Sequence, residues 1–393
     1  MKLHLKTLAL LFGLYNFELL ANQFITIHDP LLVVVLMVKN EAPVIEKTLE
    51  PYLKAGIDSY LILDTGSTDD TIAKTKQLFL DYHVQHGHII EQPFIDFSTS
   101  RNYALECAEQ LFPSAAFFFM IDAEWYLQNI DLLLKFCQLQ AYNSTNDAFA
   151  IRVCFENVEY YVRRLFKADK KIRFVGVVHE YAQAQSYTKV PSEISINWIA
   201  SCNGNHKSKV RWQQDKELLL KEYEKDPTNV RTIYYLGQTY FDLQEFENAA
   251  FWYQKRFDAI EYTEEKFISC CQLGAIYYHL NNMDLALHYY TIAHTLNPDR
   301  AEPLVAIALY HLRNKDYKQA LLFAQKAAEK PYPNNALLIN KTIYLYTRYI
   351  TLAIASWNIL EYEICKQALQ KALEYDSTNI YLLEMKKELQ NHH

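Results

Sequence analysis

Glycine is scarce in this chain: 8 residues in 393, beside 30 tyrosines. So few glycines exclude a fold built on many tight turns, and each place where one occurs becomes informative. Cysteine pairing motifs are absent too. The 7 cysteines (107, 137, 154, 202, 270, 271 and 365) contain no C-x-x-C, and their odd number argues against a disulfide framework, so reduced thiols are expected. Nor is there a basic excess. Lys plus Arg number 39 against 46 Asp plus Glu, a net charge of −7, which speaks against a general nucleic-acid binder. No run reaches the roughly 18 apolar residues of a membrane span. Apolar substance is nevertheless plentiful: 50% of the residues are hydrophobic and 14% aromatic, enough for a sizeable core.

The length suggests two or three domains, and two regimes meet near residue 207. Before it, short apolar runs alternate with helical patterns. Strands are expected at 31–38, 60–64, 88–91 and 115–121, with helices at 44–54, 68–80 and 98–111 between them. Strands alternating with helices of this length argue for βαβ units and a parallel sheet covered on both faces. From 148 to 199 the pattern becomes strand-like and less regular.

After residue 207 the chain is helical almost throughout, and it repeats. Leu273-Gly274-x-x-Tyr277 is followed by Ala286, Tyr290, Ala293 and Pro298, and Leu236-Gly237-x-x-Tyr240 by Ala249 and Tyr253. Small residues at Gly274 and Ala286 allow two helices to approach, Tyr277 and Tyr290 fill the space between them, and Pro298 stops the second helix. The pattern resembles the tetratricopeptide repeat. Units are expected near 230–266, 267–300, 301–335 and 346–379, with an insertion around 328–345 and a capping helix at 380–390.

Chemistry-bearing residues gather in the first half. Asp64-Thr65-Gly66-Ser67-Thr68-Asp69-Asp70-Thr71 follows an apolar strand and opens a helix, so Asp64 is expected at the carboxyl end of a parallel strand, where α/β sheets bind ligands. Gly66 permits the turn, and Ser67 or Thr68 is expected to cap the helix. Upstream stands Val38-Lys39-Asn40-Glu41; downstream come Asp96-Phe97-Ser98, Arg101-Asn102 and Asp122-Ala123-Glu124. Together, in this order, these segments resemble family 2 glycosyltransferases of the GT-A fold, in particular the bacterial subgroup that carries tetratricopeptide repeats. The resemblance covers roughly residues 31–206.

It implies an α/β, GT-A-like (Rossmann-like) domain with a mostly parallel sheet at 30–206 and an all-α tetratricopeptide-repeat solenoid at 207–393. The implied activity moves a sugar from a nucleotide-diphosphate sugar to a protein, peptide or glycan acceptor, with inversion. Asn40, Glu41, Asp64, Arg101, Asn102 and Asp122 are then the donor-nucleotide residues. Asp122 and Glu124 match the D-x-D element that shares a Mg²⁺ or Mn²⁺ ion with the diphosphate; His206, or alternatively His179, is the further metal ligand. On an extended segment, side chains two apart point the same way, which would let the two acids converge. The subgroup's usual D-A-D-E reads Asp-Ala-Glu-Trp here, and that departure motivates a second reading: a repeat scaffold with a degenerate transferase domain. A sugar-nucleotide-forming nucleotidyltransferase fits less well, because Lys39-Asn40-Glu41-Ala42-Pro43 lacks the glycine-rich phosphate loop.

Arg163-Arg164-Leu165-Phe166-Lys167 and Arg173-Phe174-Val175-Gly176-Val177-Val178-His179-Glu180 match a pattern that this subgroup places near the acceptor. Glu180 is the candidate general base. The positive residues between 163 and 173 either neutralise a diphosphate or protect a strand edge. The repeats are expected to bind the acceptor or another protein, or to mediate self-association.

Residues 1–29 are read separately. Lys2, His4 and Lys6 precede the apolar stretch Leu8–Tyr15, and Leu19-Leu20-Ala21 has the form of a cleavage site, so a secretory signal competes with a short amphipathic or buried helix. Because nucleotide sugars are cytosolic in bacteria, a cytoplasmic enzyme, membrane-associated at most through its first 20 residues, is the expectation.

Overall fold

The fold, taken from a computed structural model, is described for residues 29–199, 204–260, 264–333 and 339–390, with backbone alone for 204–208. Residues 1–28, which carry the signal-like stretch, lie outside the described residues.

Three apolar runs become inner parallel strands. β1 (Leu32–Val38), β2 (Ser59–Asp64) and β4 (Phe117–Ile121) are buried almost end to end, as strands covered on both faces must be. β1 pairs in parallel with β2 on one side and β4 on the other, and β2 carries β3 (His86–Glu91) at the edge. Beyond β4 the sheet turns mixed through β7 (Val158–Lys167), β6 (Ala148–Phe155), β11 (Ser195–Trp198) and β5 (Trp125–Gln128). The order is β3-β2-β1-β4-β7-β6-β11-β5, with β10 (Tyr187–Lys189) added on β6.

One face is covered by α1 (Ile45–Lys54), α2 (Thr71–Asp81) and α4 (Ile130–Asn143), whose Leu49, Phe79 and Leu133 pack on Val34, Leu36 and Phe119. The other is covered by α3 (Phe97–Leu111) and by a two-stranded ribbon of β8 (Arg173–Val175) and β9 (Tyr181–Gln183); Ala104, Leu105 and Phe174 pack there on Val33, Val35 and Phe118. The Asp96 carboxylate starts α3 by accepting from the Thr99 N–H at 2.8 Å. β5 and α4 are not among the elements expected from sequence. Their mixed burial gives no clean period to read.

The helical half begins with α5 (Gly204–Lys225). Hairpins follow: α6 (Val230–Asp242) with α7 (Phe246–Asp258), α8 (Glu264–His279) with α9 (Met283–Leu296), and α10 (Glu302–Arg313) with α11 (Tyr317–Ala328). A fourth pairs α12 (Arg348–Asn358) with α13 (Tyr362–Tyr375), and α14 (Ile380–Leu389) packs Leu382 and Met385 on it. The glycines explain the close approach within two hairpins. A Cβ on Gly274 would lie 2.7 Å from the Tyr290 ring, and one on Gly237 would lie 2.8 Å from Tyr253.

The two halves meet at both ends of the helical array. At the start, the β8–β9 turn pushes Val178 into a cluster with Leu219, Ile233, Leu236 and Trp252. Near the end, the stretch before α12 returns to the sheet. There β12 (Ile339–Asn340) pairs antiparallel with β7, the Lys341 ammonium lies 2.9 Å from Glu159, and the Tyr332 hydroxyl donates to Glu159 at 2.9 Å. The insertion expected at 328–345 therefore has a structural task.

Candidate functional site

The carboxyl ends of β1 and β2 form one stitched loop pair. The Asn40 N–H donates to Ser67 Oγ at 2.9 Å, the Asn40 side-chain oxygen accepts from the Thr68 N–H at 2.7 Å, and the Glu41 N–H donates to Thr71 Oγ1 at 2.7 Å. Asp64, at the end of β2, accepts from the Ser67 hydroxyl at 2.6 Å and from its N–H at 3.1 Å, which closes the turn over Gly66 (φ +105°). Ser67 and Thr68 are thus spent on the loop rather than on the helix. The N-cap residue, Asp70, makes no side-chain cap; the preceding Asp69 carboxylate accepts from the Thr71 N–H at 3.0 Å at the start of α2.

Next to this loop pair, at the end of β4, four charged side chains from four elements converge. Arg101 of α3 places Nη2 2.5 Å from Asp122 Oδ1 and Nε 2.6 Å from Glu180 Oε1. Arg164 of β7 places Nη2 3.2 Å from Asp122 Oδ2 and 3.3 Å from Glu180 Oε1. A β-bulge delivers Arg164. Leu165 faces Phe149 and Arg163 faces Ala150, so Arg164 is the extra residue and its side chain turns toward Phe174 rather than following the strand's alternation. Both guanidinium groups lie over the Phe174 ring, and Arg164 also over Trp125.

Side-chain exposure is 5% for Arg101, 9% for Arg164 and 7% for Glu180, but 26% for Asp122, so Asp122 forms the open side. Burial alone would raise the Asp122 carboxyl; Arg101 and Arg164 hold it below the usual carboxylate range. Burial works against the charge on both arginines. The two carboxylates prevail at Arg101, while at Arg164 burial and the neighbouring Arg101 prevail, although a guanidinium remains protonated in either case.

Arg101, Asp122 and Glu180 therefore come together, and Arg164 joins them. The sequence singled out Arg164 only as one of a run of cations, and that run does not form one patch. Arg163 lies over Tyr181 and Tyr187, the Lys167 ammonium donates to the Ser144 carbonyl at 2.5 Å, and Arg173 pairs with Glu109 at 2.6 Å. Asn102 is occupied with structure: it donates to the Phe174 carbonyl at 2.9 Å and accepts from the Phe174 N–H at 2.7 Å, fixing β8 to α3.

The metal expectation meets a geometric obstacle. The 122–124 segment is not extended, because Glu124 has φ +67° in the tight turn between β4 and β5. The i, i+2 convergence therefore fails. Asp122 faces the arginines, and the Glu124 carboxylate accepts from the Trp198 indole N–H at 3.4 Å. His179 is stacked on Tyr235 at 4.3 Å. Among the described residues no three His, Cys, Asp or Glu side chains group as a metal site, so His179 does not join Asp122 and Glu124. The His206 side chain lies outside the described residues. With both Asp122 oxygens held by guanidinium groups, the donor set as it stands does not fit a divalent ion.

Glu180 likewise differs from a free base, since its Oε1 accepts from two guanidinium groups. It sits in the β8–β9 turn, whose Gly176 (φ +102°) and His179 (φ +51°) bend the chain so that Val178 enters the helices while Glu180 returns to the arginines. A cavity of about 510 Å³ opens elsewhere, at the amino ends of β1, β2 and β4 among Asp29, Asp58, His86 and Phe112. Neither the Asn40–Ser67 loop pair nor the Arg101–Asp122–Arg164–Glu180 cluster lines it.

Residues 268–300, which make up most of the α8–α9 hairpin, match the tetratricopeptide repeat family model. The helical half carries such a repeat. Among solved structures the chain is similar to YrrB, described as a TPR protein with an unusual peptide-binding site, at 18% identity over 47% of this chain and 89% of that one, with a TM-score of 0.35. It is also similar to MamA, at 17% identity over 46% and 96%, with a TM-score of 0.35. The Arabidopsis OM64 TPR domain is similar at 20% identity over 33% and 98%, with a TM-score of 0.28. No curated protein matches the chain. Among the described residues, no helix is long and apolar enough to cross a membrane.

Proposed function

We propose that the α/β half is a glycosyltransferase that takes its sugar from a nucleotide-diphosphate donor, with the helical repeats binding a protein or peptide acceptor. One observation carries the reading: the carboxyl ends of β1, β2 and β4 bring the Asn40–Asp64 loop pair beside the Arg101–Asp122–Arg164–Glu180 cluster. In the proposed reaction an acceptor heteroatom attacks the anomeric carbon and gives up its proton to solvent, the bond from that carbon to the diphosphate oxygen breaks, and the nucleoside diphosphate leaves with inversion. The loop pair supplies a wall for the nucleoside, and Arg101 and Arg164 supply positive charge where the leaving diphosphate gathers negative charge. Glu180 holds those arginines in place. On the helical half, a pocket of about 180 Å³ lined by Tyr278, Tyr290, Tyr310 and Arg313 has room for a side chain of a bound peptide.

Repeat-mediated protein binding with an inert α/β domain is the second reading. It is favoured by the pairing of Asp122 and Glu180 with arginines rather than with each other or with a third acid. Isothermal titration of the folded protein with a panel of nucleoside diphosphates, with and without Mn²⁺, separates the two. Selective binding of one nucleotide supports the transferase, and donor-sugar turnover then follows as the next assay. Silence across the panel leaves the scaffold.

A further inference from the structure

Among the described residues, two donors in the charged cluster have no acceptor. Arg101 Nη1 and Arg164 Nη1 are buried and without a hydrogen-bond partner, although Arg101 Nε and Nη2 and Arg164 Nη2 are committed to Asp122 and Glu180. A buried N–H left unpaired is unfavourable, so the cluster holds two guanidinium groups with capacity to spare. Both are spread over the Phe174 ring and stripped of water. That is the setting in which arginine recognises phosphate oxygens by a planar, two-toothed contact.

The two carboxylates differ in how readily they can leave. Glu180 is held in a turn anchored by Val178 among the helices and is nearly sealed, whereas Asp122 follows a strand end and keeps 26% of its side chain exposed. If Asp122 turns outward, two guanidinium groups face one carboxylate, and one positive charge is uncompensated. An incoming oxyanion restores the balance and takes up the Nη2 donors that Asp122 vacates.

We propose that Arg101 and Arg164 form an oxyanion site that takes the diphosphate of a nucleotide in exchange for Asp122, without a divalent ion. The identity of the bound diphosphate as a sugar donor's rests on the transferase reading; the anion site itself does not. Asp122 then acts as a placeholder that keeps the pair neutral and ordered while the site is empty. The opposite expectation belongs to a D-x-D metal site, in which Asp122 is indispensable to diphosphate binding.

The test is isothermal titration of the full chain with inorganic pyrophosphate and with nucleoside diphosphates, in EDTA and in Mn²⁺. Binding in EDTA is expected, with Asp122→Asn at least as tight as the parent because the competing carboxylate is gone. Arg164→Lys should weaken binding roughly ten- to a hundredfold, the worth of one or two charge-assisted hydrogen bonds. Arg163→Gln, outside the cluster, should leave the affinity unchanged, and circular dichroism checks that each variant is folded. Binding that requires Mn²⁺, or that Asp122→Asn abolishes, overturns the oxyanion site while sparing the transferase reading. Pyrophosphate bound in EDTA with no preference among nucleosides keeps the oxyanion site and sinks the transferase. Absence of binding under every condition overturns both.

Discussion

The Arg231 guanidinium donates to the His179 carbonyl oxygen across 2.8 Å, joining the first helix of the repeat hairpins to the turn that carries Glu180. Tyr181 and Tyr235 flank that guanidinium at 4.7 Å each, and Glu265 of the next hairpin pairs with it at 3.1 Å. The charged cluster is thereby supported from the helical half.

Arg231→Ala should therefore loosen the 176–181 turn. Hydrogen exchange at those amides is the measurement; faster exchange there, with β1 and β2 unchanged, is the expected result. The loss in global stability should be about 1–3 kcal/mol, as for a charged hydrogen bond removed from a half-buried site. Unchanged exchange in the turn would show that Val178 alone holds it.

Glu180→Gln removes one of the two negative partners of a buried arginine pair. An uncompensated buried charge costs on the order of 3 kcal/mol or more, so thermal unfolding should shift markedly downward. Glu50→Gln, which breaks only an exposed pair with Lys54, should cost far less. Equal melting temperatures for the two variants would contradict the ion cluster.

Gly274→Ala sets helix propensity against packing. Alanine gains about 1 kcal/mol in an exposed helix interior, but here its Cβ would meet the Tyr290 ring at 2.7 Å. Overpacking of this kind typically costs about 1–3 kcal/mol. Denaturant unfolding should show a net loss, and the double variant with Tyr290→Leu should recover part of it.

Asp215 of α5 is buried close to Glu180 and Arg211, and burial pushes its carboxyl up to about 6. Its folded value lies above its unfolded one, so its contribution to stability is present below pH ~4 and is lost as pH rises through about 6. Asp215→Asn should stabilise the protein above pH 6, by up to about 3 kcal/mol for a shift of this size, and the advantage should vanish by pH 4. Melting temperatures of both proteins across that range decide it.

Much of the architecture was legible locally. The run Leu32–Val38 is apolar at every position and rich in β-branched residues, as suits an inner strand covered on both faces, and Gly274 with Tyr290 announces a helix–helix contact because glycine and a large ring at those positions are complementary in volume. The charged cluster was legible only as separate residues: the sequence singled out Arg101, Asp122 and Glu180, but not that they meet. Asp122 and Glu124 read as a pair because an extended backbone was assumed, and the left-handed conformation of Glu124 separates them. Arg164 was hidden in a basic run; nothing local distinguishes it from Arg163, and the bulge that re-aims it arises from pairing with Ala148–Phe155.

By itself the sequence determined the alternation of buried strands and helices in the first half and the repeating hairpins of the second, since both follow from side-chain periodicity and volume along a short stretch of chain. Only the tertiary structure decided which charges meet. Arg101, Asp122, Arg164 and Glu180 come from a helix, a strand end, a bulge and a hairpin turn, up to 79 residues apart. Coulombic and hydrogen-bond energies depend on separation in space, which the order of residues along the chain does not specify.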